Sequence, residues 1–323
     1  MRRLIALALI LACLSLDAFH VHRTPYSAAE HLEAGKILLE RGERELGRRH
    51  LQMILCAYPD APEVAEVYYE RGLLGMKEGD GRAANNWFNH YLAKEPQTER
   101  FEEIFGYKLA VADAFREGQR GHLFGGRYLP KWSSTKYEAL ELYDEVYAAM
   151  PSHEYGAQAL YGKGMILWKL REYEEAIDAM QGFIARFPRH EHAPDAYEAI
   201  CGIYLDHVRF QPHNPDLLPL ARINLRKFRA DFPTDERLLK GEEILESIRE
   251  ELADALIETG QFYERKGIEP AACVYYTHAA NDYIGTAAAD FAIVRLGELE
   301  PINPLLEGPS LQDIAVADEP SEP

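Results

Sequence analysis

The sequence predicts an all-α chain: a right-handed superhelical solenoid of about six helical hairpins, closed by a C-terminal capping helix. Three observations predict it. Amphipathic runs end repeatedly on proline, in "LCAYP" (Pro59), "LAKEP" (Pro96), "YAAMP" (Pro151), "IARFP" (Pro188) and "RADFP" (Pro233). Residue sizes recur at fixed offsets before each proline. A matching small residue recurs one helix earlier. Self-similarity of this kind marks repeat architectures.

The second helix of each hairpin is the clearer one, because proline fixes its end. Twelve positions before proline stand Gly47, Ala84, Ala139, Ala176 and Ala221. Eight before stand Leu51, Phe88, Tyr143, Met180 and Leu225. Four or five before stand Ile54, Tyr91, Tyr147, Ile184 and Phe228. The small residue lets two helices approach closely, and the bulky ones fill the space to the next hairpin. Proline removes an N–H and restricts the residue before it, so the helix stops. The first helices carry Gly35, Gly72 and Gly164 twelve positions ahead of the small residue. Gly106 and Cys201 take the same slot once insertions are allowed. A sixth unit, "LADALIETGQFYERKGIEPAACVYYTHAANDYIGT", keeps Gly260, Tyr263, Ala272, Tyr276 and Ala279 in register, with Ile284 in the proline position.

This pattern resembles the tetratricopeptide repeat, in which stacked helix pairs form a concave face lined mostly by first helices. The array is predicted over 26–300, with a last helix near Thr286 to Glu300 covering the final apolar face. The tail 301–323 is rich in proline and acid and is predicted to be disordered. Insertions near 117–135, 209–217 and 236–252 break the period. The largest, "EGQRGHLFGGRYLPKWSST", carries Phe124, Arg127, Tyr128 and Trp132. A solenoid core requires none of these, so they are predicted to form an interaction surface.

Composition narrows the function. The chain has 323 residues, 47 % hydrophobic, and a net charge of −18. Phosphate backbones need a basic face, so nucleic acid is excluded as a partner. Polybasic docking on anionic lipid is excluded for the same reason. The first residues, "MRRLIALALILACLSLDAFHVH", read as a signal peptide over 1–18: two arginines, then an apolar run from Leu4 to Leu16. That run is too short to span a bilayer, which takes roughly 20 residues. "ILAC" resembles a bacterial lipobox ending at Cys13, the predicted lipid attachment; the competing event is cleavage after Ala18. Cys56, Cys201 and Cys273 share no CxxC spacing and are read as buried small hydrophobes.

Motifs for chemistry are missing. "YGKGM" lacks the spacing of a phosphate loop, and no GxSxG, HExxH or EF-hand pattern occurs. "RHEH" (Arg189 to His192) offers two histidines and no evident third ligand, and is read as a polar turn. No catalytic residue, cofactor or metal is predicted, and the chain is not read as an enzyme.

The export signal, the lipobox, "FIARFPRHEHAPDAY" and the last unit together resemble the BamD-like outer-membrane assembly lipoproteins. The matching residues of the last unit are Leu252-Ala253, Phe262-Tyr263, Arg265 to Gly267, Ala271-Ala272 and Tyr283 to Thr286, with Ile284 departing at the proline. The resemblance implies a lipid-anchored protein on the periplasmic face of the outer membrane, with the lipid as its sole membrane contact. It implies C-terminal units that dock on a BamA-like barrel-forming partner, and an N-terminal groove for unfolded outer-membrane proteins. Groove-facing positions of the second and third units would include Glu66, Tyr69, Leu73, Arg100, Glu103 and Tyr107. The alternative is a soluble periplasmic adaptor for envelope or cell-wall proteins.

Overall fold

The computed structural model describes residues 26–119, 121–122 and 131–299. The described residues hold thirteen helices and one two-stranded hairpin. They divide into two compact units, the first ending at Ile166 and the second starting at Leu167.

In the first unit, α1 (Ala28–Glu40), α2 (Arg44–Ala57), α3 (Glu63–Glu78), α4 (Gly81–Lys94), α5 (Phe101–Arg116) and α6 (Lys136–Ala149) follow one another, and α7 (Glu154–Leu170) carries the boundary. The array opens on a capping box: the Glu30 amide donates to Ser27 Oγ at 3.3 Å, and the Ser27 amide donates to the Glu30 carboxylate at 2.7 Å. The second unit holds α8 (Tyr173–Arg186), α9 (Ala193–Phe210), α10 (Leu217–Asp231), α11 (Arg237–Arg265), α12 (Glu269–Asp282) and α13 (Ala287–Leu299).

Proline ends the second helices as the sequence requires. α2, α4, α6, α8 and α10 each stop two residues before Pro59, Pro96, Pro151, Pro188 and Pro233. The intervening residue leaves the helical region each time, with φ between −125° and −136° and ψ between 55° and 72°. Tyr283 adopts nearly the same conformation (φ −124°, ψ 40°) at the end of α12, although Ile284 follows it. The turns inside the hairpins share a left-handed residue: Gly42, Gly79, Arg171 and Gly267. Each lies seven residues after the small residue of its first helix, at Gly35, Gly72, Gly164 and Gly260.

Close helix approach explains the small residues. A Cβ on Gly47 would meet Leu39 Cγ at 2.7 Å and the Gly35 carbonyl at 3.0 Å. A Cβ on Gly75 would stand 2.8 Å from the Ala84 amide, and one on Gly260 2.5 Å from Tyr276. The bulky positions Leu51, Phe88, Tyr143, Met180 and Leu225 are all buried.

Each core in the first unit is completed by the following hairpin. Leu51 and Ile54 of the first pair cluster with Val64 and Val67 of α3. Ala65, Tyr69, Phe88 and Tyr91 cluster with Ile104 of α5. Phe105, Phe115 and Tyr143 cluster with Ala159 and Ile166 of α7. In these three clusters of the first unit the core is shared between successive hairpins, which is the physics of a repeat array.

In the second unit, α9 packs against α10 and α11. The Tyr197 ring stacks on Phe228 at 5.2 Å, and Asn224 Nδ2 donates to the Tyr197 carbonyl at 3.0 Å. Residues 237–252 belong to one 29-residue helix, α11, with Glu236 at its N-cap, and 211–216 form the loop between α9 and α10. Glu250 accepts the first amides of α13, Ala287 at 3.1 Å and Ala288 at 2.9 Å. α13 buries Ala288, Ala289 and Ala292 and leaves Phe291, Ile293 and Val294 exposed.

Several expectations are corrected. The third bulky slot, counted five residues before each proline, belongs to Val146 and Phe183, both fully buried; Tyr147 one residue later is only half-buried, while Ile184 is buried beside Phe183. Gly106 faces Tyr155 of α7 at 3.1 Å, while Tyr143 is met by Asp113 and Arg116 of α5. Gly106 therefore does not hold the small slot of its hairpin: counting seven back from the left-handed Gly118 gives Val111. Cys56 is exposed on α2 rather than buried; Cys201 is buried and Cys273 partly so. Within the insertion, β1 (Gly121–His122) pairs antiparallel with β2 (Lys131–Ser133). Its root is tied down by Thr135 Oγ1 on the Gln119 carbonyl and by Gln119 Nε2 on the Gly79 carbonyl, both 2.6 Å.

Candidate protein-binding surface

Glu66, Tyr69 and Leu73 lie at i, i+3 and i+7 on α3, so one helix face presents all three. Arg100, Glu103 and Tyr107 repeat that spacing around the start of α5. A 34-residue separation sets Glu66 against Arg100 and Tyr69 against Glu103. The structure brings all of these but Leu73 into one polar network. Arg100 donates to both Glu66 oxygens, at 2.6 and 3.4 Å. Its guanidinium lies 4.1 Å above the Tyr69 ring. The Tyr69 and Tyr107 hydroxyls both donate to Glu103 Oε1, at 2.9 and 3.0 Å. Tyr107 also stacks on Phe88 at 5.4 Å. Leu73 is half-buried against the same core as Tyr69.

Lys36 of α1, which the sequence reading missed, extends the network. Its Nζ lies 2.5 Å from Glu66 and 3.5 Å from Glu70. A signal for it existed: Lys36, Leu73 and Tyr107 each directly follow the glycines Gly35, Gly72 and Gly106. Burial opposes ionisation of Glu66, but hydrogen bonds from Arg100 and Lys36 outweigh it and hold the carboxyl below its usual range. Burial, then the hydrogen bond to Glu103, pushes the Tyr69 and Tyr107 phenols up. Both tyrosines therefore stay neutral donors. The network leaves Lys36, Arg100, Glu103 and Tyr107 at least partly exposed over the buried Tyr69, on three successive first helices.

Beside it lies a cleft of about 430 Å³, floored by Leu39, Leu73 and Leu74 and edged by Lys36, Arg44 and Lys77. In the second unit the charged side chains between α9 and α11 are spent on one another. Arg209 meets Glu251 at 2.6 Å, Lys240 meets Glu198, and Arg237 holds Asp195 and Asp235. His192 Nδ1 lies 2.9 Å from Asp195, and no group of three or more potential metal ligands occurs among the described residues. Burial pushes the Cys201 thiol up to about 11, against the opposing effect of the Asn224 hydrogen bond at 3.2 Å. It is a packing residue.

Phe124, Arg127 and Tyr128 lie outside the described residues, as does Cys13. Trp132 stands in β2, opposite the Gly121–His122 strand.

The tetratricopeptide repeat family model matches residues 158–190. The fold is of the tetratricopeptide class. Among solved structures, the chain is similar to a tetratricopeptide repeat protein of Parabacteroides merdae, at 14 % identity, TM-score 0.35, over 84 % of this chain and 98 % of that one. It is similar to the C-terminal part of a repeat-containing protein of Cytophaga hutchinsonii, at 13 % identity, TM-score 0.36, over 91 % and 90 %. A thermophilic repeat protein of Thermus thermophilus gives 17 % identity, TM-score 0.31, over 68 % and 99 %. No curated protein matches the chain.

Proposed function

We propose that this chain is a protein-binding scaffold whose first unit receives an extended segment of a partner. The observation that carries the reading is the continuous network from Lys36 through Glu66, Arg100, Tyr69 and Glu103 to Tyr107. Recognition of an extended segment needs a few aromatic contacts and placed hydrogen-bonding groups along a groove, and no reacting centre. Adjacent helices supply both here.

The proposed setting is the periplasmic face of the outer membrane. The scaffold would serve β-barrel assembly, holding a BamA-like partner and unfolded outer-membrane proteins. The signal-like residues 1–18, the lipobox at Cys13 and the resemblance of the last unit support that setting. A pull-down of the full chain from solubilised membranes tests it. Recovery of a large β-barrel protein is the expected result. Recovery of cell-wall enzymes instead would select the adaptor function and reject barrel assembly.

A further inference from the structure

The cleft beside the polar network has a chemistry of its own. Its floor is aliphatic: Leu39 of α1, with Leu73 and Leu74 of α3. Its edge carries three cations, Lys36, Arg44 and Lys77, against two anions, Glu40 and Glu70. Lys36 is already engaged by Glu66 and Glu70. Arg44 and Lys77 are exposed, and no acidic side chain pairs with either among the described residues. The local balance is one positive charge in a chain of net charge −18.

Local helix physics does not account for both cations. Lys77 lies in the last turn of α3, where a cation complements the helix dipole. Arg44 is the first residue of α2, where the dipole disfavours a cation. The α1–α2 turn passes through Gly42 at φ 82°, with nothing within 4 Å of where a Cβ would stand. The mouth is therefore open at the end where Arg44 stands.

We infer that this cleft docks an acidic, leucine-bearing extended segment of a partner protein. An aliphatic side chain of the segment enters between Leu39 and Leu73, and its carboxylates meet Arg44 and Lys77. The inference rests on the scaffold reading and names the chemistry of what the first unit holds. Charge complementarity selects this occupant: a basic segment would meet two unpaired cations against the single carboxylate of Glu40, and a neutral one would leave the excess cation unanswered.

The test uses the full chain and labelled peptides: a short glutamate-rich peptide with a leucine pair, a twin with lysine for glutamate, and a twin with serine for leucine. The acidic leucine peptide is expected to bind at least about tenfold tighter than either twin, and more weakly as salt rises. The double variant Arg44→Glu, Lys77→Glu should lose about tenfold and gain the lysine twin, with unchanged melting, because both side chains are exposed. Leu73→Ser should weaken the acidic peptide with no gain of the lysine twin. Equal binding of the twins, or an unchanged Kd in the double variant, overturns the inference. So does tighter probe binding by a chain ending at Leu299, which would give the cleft to residues 300–323. So does an oligomer that the double variant dissociates, which would give it to a second copy. The membrane pull-down separates the two readings: a captured partner with no acidic-peptide preference leaves the scaffold standing and rejects the cleft. Acidic-peptide binding with no envelope partner keeps the cleft and rejects the outer-membrane setting.

Discussion

Arg171 occupies the left-handed slot that Gly42, Gly79 and Gly267 fill in other hairpins, at φ 66°. A side chain there clashes with its own backbone, at about 1–2 kcal/mol. Glycine removes the clash and loses part of the gain to unfolded-state freedom. Arg171→Gly should therefore stabilise the fold by about 0.5–1 kcal/mol, read as a higher Tm. His31 makes a second prediction at this scale. It is buried in α1 with Nδ1 3.1 Å from His50 Nδ1, beside the Tyr26 and Tyr58 rings and near Glu30. Burial, then the neighbouring His50, lowers its pKa, so the fold holds it neutral. The unfolded chain takes the proton first. Its contribution to stability is complete above the unfolded value of about 6.5 and is lost as pH falls through the lower folded value. Thermal melts at neutral and mildly acidic pH should show that slope, and His31→Phe should flatten it.

A helix pair is decided by what its small residue touches. A Cβ on Gly72 would stand 2.6 Å from Phe88 Cδ1 and 2.8 Å from Cζ. Alanine gains about 1 kcal/mol in helix propensity over glycine, but overpacking a filled core loses about 1–3 kcal/mol. Phe88 is fully buried and has no room to turn aside. Gly72→Ala is therefore expected to lower the Tm despite its better propensity. An unchanged or raised Tm would mean that α3 and α4 part more easily than their contact implies. At the same scale, the proline rule reads helix ends correctly and, held to a strict offset, core slots too. Val146 and Phe183 are buried one residue before the positions the apolar pattern suggests. The slot stands five residues before proline in the other units, and the same count here gives Val146 and Phe183, so a strict offset rather than apolar character picks the core residue.

The whole molecule inherits its coupling from cores shared between neighbouring hairpins. Leu51 lies fully buried with Val64 and Val67 of the next helix. Leu51→Ala should cost about 2–5 kcal/mol. Hydrogen exchange should show the lost protection in α3 as well as in α1 and α2, because α3 closes the same cluster. Damage confined to α1 and α2 would mean that the hairpins fold independently. Under the proposed anchoring, Cys13→Ala should move the protein from membranes to the soluble periplasmic fraction with its helicity intact, read by fractionation and circular dichroism. Uptake of a palmitate analogue by the wild type, and not by the variant, checks the attachment directly.

The sequence by itself determined the helices, their ends and the repeat. Proline, glycine and residue size act locally, and they act alike in each unit, so six weak signals reinforce one another. It also picked out Glu66, Tyr69, Arg100, Glu103 and Tyr107, because a 34-residue period puts equal positions of successive helices side by side. Three things were decided only by tertiary structure. Lys36 joined the network, since its partner Glu66 lies 30 residues away on another helix. Gly106 came to face Tyr155 of α7 rather than the bulky residue of its own hairpin. Arg44 and Lys77, ordinary surface cations in the sequence, came to edge one leucine-floored cleft. Local chemistry fixes what each helix is; which side chains from different helices meet is set by packing, and no single segment contains it.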